Sequence, residues 1–120
     1  MIRCNSLAKP SAFGYFTHAE GKDTSAVENQ AHAEGFSSYA KGTDSHAEGG
    51  DTSAIGKASH AEGYYTEANG QYSHSEGSYT EAVGQSSHAE GYNTYAKNTG
   101  THTEGRQTEA SGLYSHAEGY

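Results

Sequence analysis

The sequence predicts an all-β fold: a parallel β-roll, or β-solenoid, of about eight coils with fourteen residues in each. Three observations predict it. All eight histidines (His18, His32, His46, His60, His74, His88, His102 and His116) follow one another at intervals of fourteen residues. A fixed period of this kind marks a repeat architecture. Each unit also carries a small-hydroxyl, variable, Ala, variable, Gly pattern twice, as in Ser59-His60-Ala61-Glu62-Gly63 and Thr66-Glu67-Ala68-Asn69-Gly70. Its period of two is that of a strand, with alternate residues on opposite faces. Finally, the large aliphatics are only Ile2, Leu7, Val27, Ile55, Val83 and Leu113, so no conventional aliphatic core can be built.

Taken in chain order, residues 1–9 are the least regular and read as a cap or a degenerate first coil. Counting back from His18 places Cys4 in the histidine column and Ser6 in the glutamate column. From Pro10 to residue 120 the repeat is continuous, so the chain divides into 1–9 and a 10–120 roll. Each unit splits into two halves of seven residues, each a strand followed by a turn. The turns fall on Gly and two linking residues, such as Gly50-Asp51, Thr43-Asp44 and Tyr92-Asn93, where positive φ is often required. A helix is a poor alternative, because a Gly every seven residues costs ~1 kcal/mol each relative to Ala. Coils stacked at the ~4.8 Å spacing of neighbouring strands would extend roughly 38 Å. The interior receives Ser, Thr, Ala and Gly. A buried methyl contributes only on the order of 0.8 kcal/mol, so a lone chain is expected to be marginal and association is the natural remedy.

Composition narrows the function classes. With 16 Gly, 10 Tyr, one Pro and no Trp, composition alone suggests disorder, but a disordered tail has no reason to hold a register. The net charge of -8, with few and scattered Lys and Arg, lacks the footprint of a nucleic-acid binder. No apolar run approaches a membrane span, so no membrane insertion is expected. Met1 to Lys9 has no apolar core of signal-peptide length; either the chain is not exported by that route or it is a piece of something longer. The single cysteine excludes an intrachain disulfide framework.

In-register coils turn the histidines into one ladder and Glu20, Glu34, Glu48, Glu62, Glu76, Glu90, Glu104 and Glu118 into a second beside it, on the same face. Stacked carboxylates repel, and adjacent imidazoles can relieve this by hydrogen bonding or by taking up protons. The opposite sheet is variable outside: Ser25, Tyr39, Ser53, Glu67, Glu81, Tyr95 and Glu109, then Val27, Lys41, Ile55, Asn69, Val83, Lys97 and Ser111. The uniform face is therefore expected to meet an identical partner about a symmetry axis, and the variable face to meet solvent. The expectation is a homotrimer held by the His/Glu ladders. Structural pairing is the leading reading of those ladders, with bound water or anions, or metal ligation, as competitors. No metal, cofactor or catalytic residue is expected: eight near-equal copies lack the singular environment that catalysis needs, and alternation sends Ser59 and His60 to opposite faces. Three copies of Cys4 near such an axis could crosslink or bind metal; an inert thiol is the plainer reading.

The tyrosines form a looser set. Tyr64, Tyr92 and Tyr120 share the position after the Ser-His-Ala-Glu-Gly segment, with Tyr65 and Tyr79 next to it. They either cover the thin edges of the roll, pack fibres laterally, or form an exposed stripe that stacks on a cell-surface glycan or receptor.

Ser-x-Ala-x-Gly at this spacing resembles the head repeats of trimeric autotransporter adhesins, the YadA-like heads. The Ser-His-Ala-Glu-Gly wording also resembles repeats of phage tail fibres and neck appendages, often found upstream of a self-cleaving C-terminal domain. The resemblance covers roughly residues 10–120. It implies a left-handed parallel β-roll, trimeric assembly, and a place in a virion tail fibre or at an extracellular surface. Positions that hold Val and Ile in the adhesin family are here mostly His, Glu, Tyr and Lys, and the 120 residues show no coiled-coil stalk, membrane anchor or self-cleaving domain. The expected function is thus a non-catalytic structural or adhesive shaft of a phage tail fibre or bacterial adhesin. The alternative is a self-assembling extracellular filament built by end-to-end stacking of coils. Ice binding would need a flat array of Thr on one face, and here Thr alternates inward with Ala.

Overall fold

A computed structural model describes residues 3–5 and 11–120. Most of the 1–9 cap, the onset at Pro10 and the placement of Ser6 lie outside the described residues. The fold is an all-β parallel β-solenoid of about eight coils. Each coil gives one strand to a nine-stranded sheet and one to an eight-stranded sheet. Every pairing is parallel, and in the regular coils it joins residues fourteen apart: His46 faces His60 and Ala47 faces Ala61 in one sheet, while Ser53 faces Glu67 and Ala54 faces Ala68 in the other. The long axis of 40 Å agrees with the rise expected for stacked strands.

The alternation builds the interior. Ala33, Ala47, Ala61, Ala68, Ala82 and Ala89 are fully buried, and among the described residues no fully buried side chain is larger than threonine. The hydroxyls that precede the histidines close a turn. Ser59 Oγ donates to the Gly56 carbonyl at 2.6 Å, and Ser45, Ser73 and Ser87 repeat the bond to Gly42, Gly70 and Gly84. The second hydroxyl column is less well served: Thr24, Thr52, Thr66 and Thr94 bury an Oγ1 that has no hydrogen-bond partner.

The two halves of a coil are not equivalent. The histidine strands run four or five residues along the regular coils, as in His60–Tyr64, whereas the opposite strands have two, as in Glu67–Ala68. The glycine closing the histidine strand stays in the ladder at φ between 104° and 118°. The sharp reversal falls instead on the second linking residue, which is left-handed and usually not glycine: Asp51, Ala58, Tyr65, Tyr72, Tyr79 and Asn93 have φ of 53–59°. Backbone hydrogen bonds to the preceding coil hold these residues there, for example Tyr65 N–H to the Gly50 carbonyl at 2.9 Å.

Glycine is needed for close approach. A Cβ on Gly63 would lie 2.1 Å from the Gly77 carbonyl oxygen, and one on Gly56 would lie 2.0 Å from that of Gly70. The two columns differ, however. The histidine-strand column is glycine from Gly21 to Gly119, while the other admits Glu28 and Asn98. Asn98 donates from Nδ2 to the Ser111 carbonyl.

The first coil corrects one expectation. Arg3 pairs with His18 and Cys4 with Ala19, so the interval is 18 − 3 = 15 residues, one more than in the regular coils. A shift of one residue exchanges the faces of a strand. Cys4 therefore takes the alanine column of the register and not the histidine column, which removes the premise for gathering three copies of it at an axis through the histidine face.

Candidate functional site

The histidine sheet carries the most regular chemistry in the molecule. Side chains two apart on a strand share a face, so each His and the Glu two residues later point outward together. Register then stacks like on like: His46 on His60 and Glu48 on Glu62. From His32 to His116 successive imidazoles lie 4.5–4.8 Å apart with ring planes within 6° of parallel. The first pair, His18 and His32, is tilted by 32°.

Each imidazole meets its own carboxylate. The Nε2 to Oε2 distance is 2.9 Å at His18–Glu20 and 3.1–3.3 Å from His32–Glu34 through His88–Glu90. It opens to 3.9 Å at His102–Glu104 and 3.7 Å at His116–Glu118. Hydrogen-bond geometry is met at His18 and His32. At His46, His60, His74, His88 and His102 the Nε2 atom is shielded from solvent without a hydrogen-bond partner, although a carboxylate oxygen lies nearby. Burial of the rings holds His46 and His74 below the usual imidazole range; the stacked histidine on each side adds to this, and the neighbouring glutamates oppose it. Proton uptake by these two rings is therefore disfavoured relative to a free imidazole. In several coils three ligand atoms from two successive coils lie within 4.8 Å of one another, among them His32, Glu34, His46 and Glu90, His102, Glu104.

Beside the carboxylates the glycine column leaves the sheet bare. The result is an open trough. One stretch of about 900 Å³ is lined by Glu48 to Glu118 and the glycines that follow each. A second, of about 360 Å³, runs from Glu20 to Gly49. The serines before His46, His60, His74 and His88 are turned away from this surface: Ser59, for example, is buried and its hydroxyl is bound to Gly56.

The tyrosines singled out in the sequence come together along one edge. Tyr65 and Tyr79 stack at 5.2 Å, Tyr64 meets Tyr65 edge-on at 4.4 Å, and Tyr92 meets Tyr79 at 5.9 Å. Arg106 continues the row, lying 5.5 Å from the Tyr92 ring and 5.3 Å from the Tyr120 ring. Sequence reasoning missed Arg106. The signal was available, because it follows Gly105 as Tyr92 follows Gly91. Tyr65, Tyr79 and Tyr95 also enclose a hollow of about 140 Å³ with Glu67 and Glu81. Burial, and then the neighbouring Glu67, raise the Glu81 carboxyl above its usual range.

Fold and site together define a β-solenoid repeat protein with a uniform His/Glu ladder on one face and a mixed aromatic and charged surface elsewhere, an architecture consistent with a structural role. No family model matches the chain, and no curated protein matches its sequence.

Proposed function

We propose that the chain is a non-catalytic structural and adhesive shaft, assembled as a homotrimer through its His/Glu face. The setting that fits best is a phage tail fibre or a bacterial surface adhesin, with the variable face and the tyrosine edge left outward for a receptor or glycan. The observation that carries this reading is the contrast between the two sheets. Eight coils keep His and Glu unchanged on one surface, while the opposite surface changes from coil to coil. Solvent imposes no such uniformity, whereas a symmetric interface constrains every coil in the same way. The core adds a second reason. A coil interior of Ala, Ser and Thr gains little from burial, and a face packed on two partners supplies what the interior lacks.

The tyrosine edge supports the adhesive part. Tyr64, Tyr65, Tyr79 and Tyr92 remain 45–49% exposed, which suits a wet interface in which rings meet sugars or partner side chains. Tyr65 and Tyr79 spend one ring face on each other, so a glycan would meet outer faces and edges.

The alternative is end-to-end stacking into filaments. It is favoured by the constancy of the coil pitch, since a stack this regular would let a second copy continue the ladder. Light scattering coupled to size exclusion, at several concentrations and neutral pH, separates the readings. A fixed mass of three chains supports the shaft, and growth with concentration supports the filament. A monomer at every concentration ends both. Reversing a charge on the ladder with Glu62→Lys should weaken the trimer, whereas Glu67→Lys on the variable face should leave it intact.

A further inference from the structure

Three features of the His/Glu face point beyond assembly alone. The Nε2 atoms of His88 and His102 are shielded from solvent and make no hydrogen bond. The carboxylates stack in register, Glu76 on Glu90, so their charges accumulate along one line. Ligand atoms also gather across coils in three successive groups: Glu76, His88, Glu90; then Glu90, His102, Glu104; then Glu104, His116, Glu118. An imidazole nitrogen without a hydrogen bond, with its own carboxylate at 3.3 or 3.9 Å and a second from the preceding coil nearby, is a donor set that a cation can bridge.

The spacing selects the kind of cation. Around a tetrahedral zinc with bonds of about 2.0–2.1 Å, neighbouring ligand atoms stand roughly 3.4 Å apart. The His88–Glu90, His102–Glu104 and His116–Glu118 pairs stand at 3.3, 3.9 and 3.7 Å. The third atom, from the preceding coil, lies within 4.8 Å, on a glutamate whose side chain is 32–36% exposed. Imidazole favours zinc-like transition ions over magnesium or calcium, which prefer oxygen alone.

We propose that this face binds zinc-class divalent ions between its coils, each ion held by one imidazole and by carboxylates of two successive coils, with the Glu90–His102–Glu104 group as the central site. Three protein ligands leave a fourth position for water or for a side chain of another copy. Each ion also neutralises two stacked carboxylates, and so removes the repulsion that the repeat builds into the sheet. Because Glu90 and Glu104 each belong to two groups, neighbouring sites compete for them and filling is anticooperative.

The protein ligands of each site come from one chain, so zinc binding is tested separately from the trimer, although both use the His/Glu face. The experiment is calorimetric titration of the whole chain with zinc chloride at neutral pH, with magnesium chloride as the comparison. Zinc should bind saturably, magnesium should not, and a chelator should reverse the binding. His102→Asn should weaken the central site at least about tenfold, and Glu67→Gln on the opposite sheet should change nothing. Nitrogen-15 imidazole spectra of the unaltered chain give a reading that needs no variant: the Nε2 resonance of His102 should shift on zinc addition. Zinc bound no more tightly than magnesium, no shift at His102 Nε2, or unchanged binding by a folded His102→Asn chain would overturn the proposal. Light scattering on the same samples keeps the two ideas separate, since a monomer that takes up zinc supports the site and counts against the trimer, and a trimer that ignores zinc does the reverse.

Discussion

Replacing Gly63 by Ala tests whether the coils are spaced by glycine. Gly63 sits at φ +116°, and an added Cβ would lie 2.1 Å from the Gly77 carbonyl oxygen. Holding an L side chain in such a conformation costs about 1–3 kcal/mol, and overpacking against backbone costs about 1–3 kcal/mol more. The unfolded chain gives back roughly 0.4–1 kcal/mol, because Ala is less free than Gly. The net loss is therefore about 1–5.6 kcal/mol. Two companions divide it. Gly119→Ala carries the same strain, at φ +112°, with nothing within 4 Å of the new Cβ. Gly56→Ala carries a 2.0 Å approach to the Gly70 carbonyl without the strained φ, in the column where Glu28 and Asn98 already place a Cβ. Urea unfolding followed by circular dichroism at fixed protein concentration should rank Gly63→Ala as the most damaging of the three. A Gly63→Ala loss no larger than that of Gly56→Ala would refute the reasoning.

Further outcomes follow from the same geometry. Burial and the flanking rings of His32 and His60 depress His46, against Glu48 and Glu34; His74 is depressed likewise by burial and by His88 and His60, against Glu62 and Glu90. Both groups bind fewer protons folded than unfolded, so their contribution is intact above the unfolded value near 6.5 and is lost as pH falls through the lower folded values. Melting temperature in the presence of a chelator should fall from pH 7.5 to about pH 5, and a rise would contradict the direction. Thr66 buries a hydroxyl without a partner, so Thr66→Val should be neutral or stabilising by about 1 kcal/mol; a loss of that size in urea unfolding would show that the hydroxyl is bonded. Ser73 donates to Gly70 at 2.6 Å, and Ser73→Ala should cost about 1 kcal/mol. Tyr79 stands between Tyr65 and Tyr92. Tyr79→Ala removes three ring pairs, with Tyr64, Tyr65 and Tyr92; it should cost about 1.5–4.5 kcal/mol and abolish retention on glycan arrays, if the edge is the adhesive surface.

Much of the fold was legible because a repeat multiplies a weak signal. One Ser-x-Ala-x-Gly segment says little, but Ala33, Ala47 and Ala61 recurring fourteen apart fix the inward column, the strand pairing and the rise together. The histidine and glutamate ladders followed from that register alone. Two features were hidden because they arise between coils. Glycine appeared to serve the turns, whereas Gly56 and Gly70 are required by carbonyls of the neighbouring coil, and Tyr65 and Tyr79 take the left-handed positions. The place of Cys4 was misread because the irregular first coil carries one residue more than the rest. Within the site, the loss of hydrogen-bond alignment beyond His32 depends on side-chain rotation that no spacing encodes.

Spin labels tell most directly whether the uniform face turns inward. In a Cys4→Ser background, one label is introduced through Glu62→Cys on the ladder and, separately, one through Glu67→Cys on the opposite sheet. Pulsed dipolar spectroscopy then reads the distances between copies. A threefold assembly through the histidine sheet predicts one short distance for the first label and a clearly longer one for the second. Absence of coupling between copies, or the shorter distance appearing on the variable sheet, would contradict it.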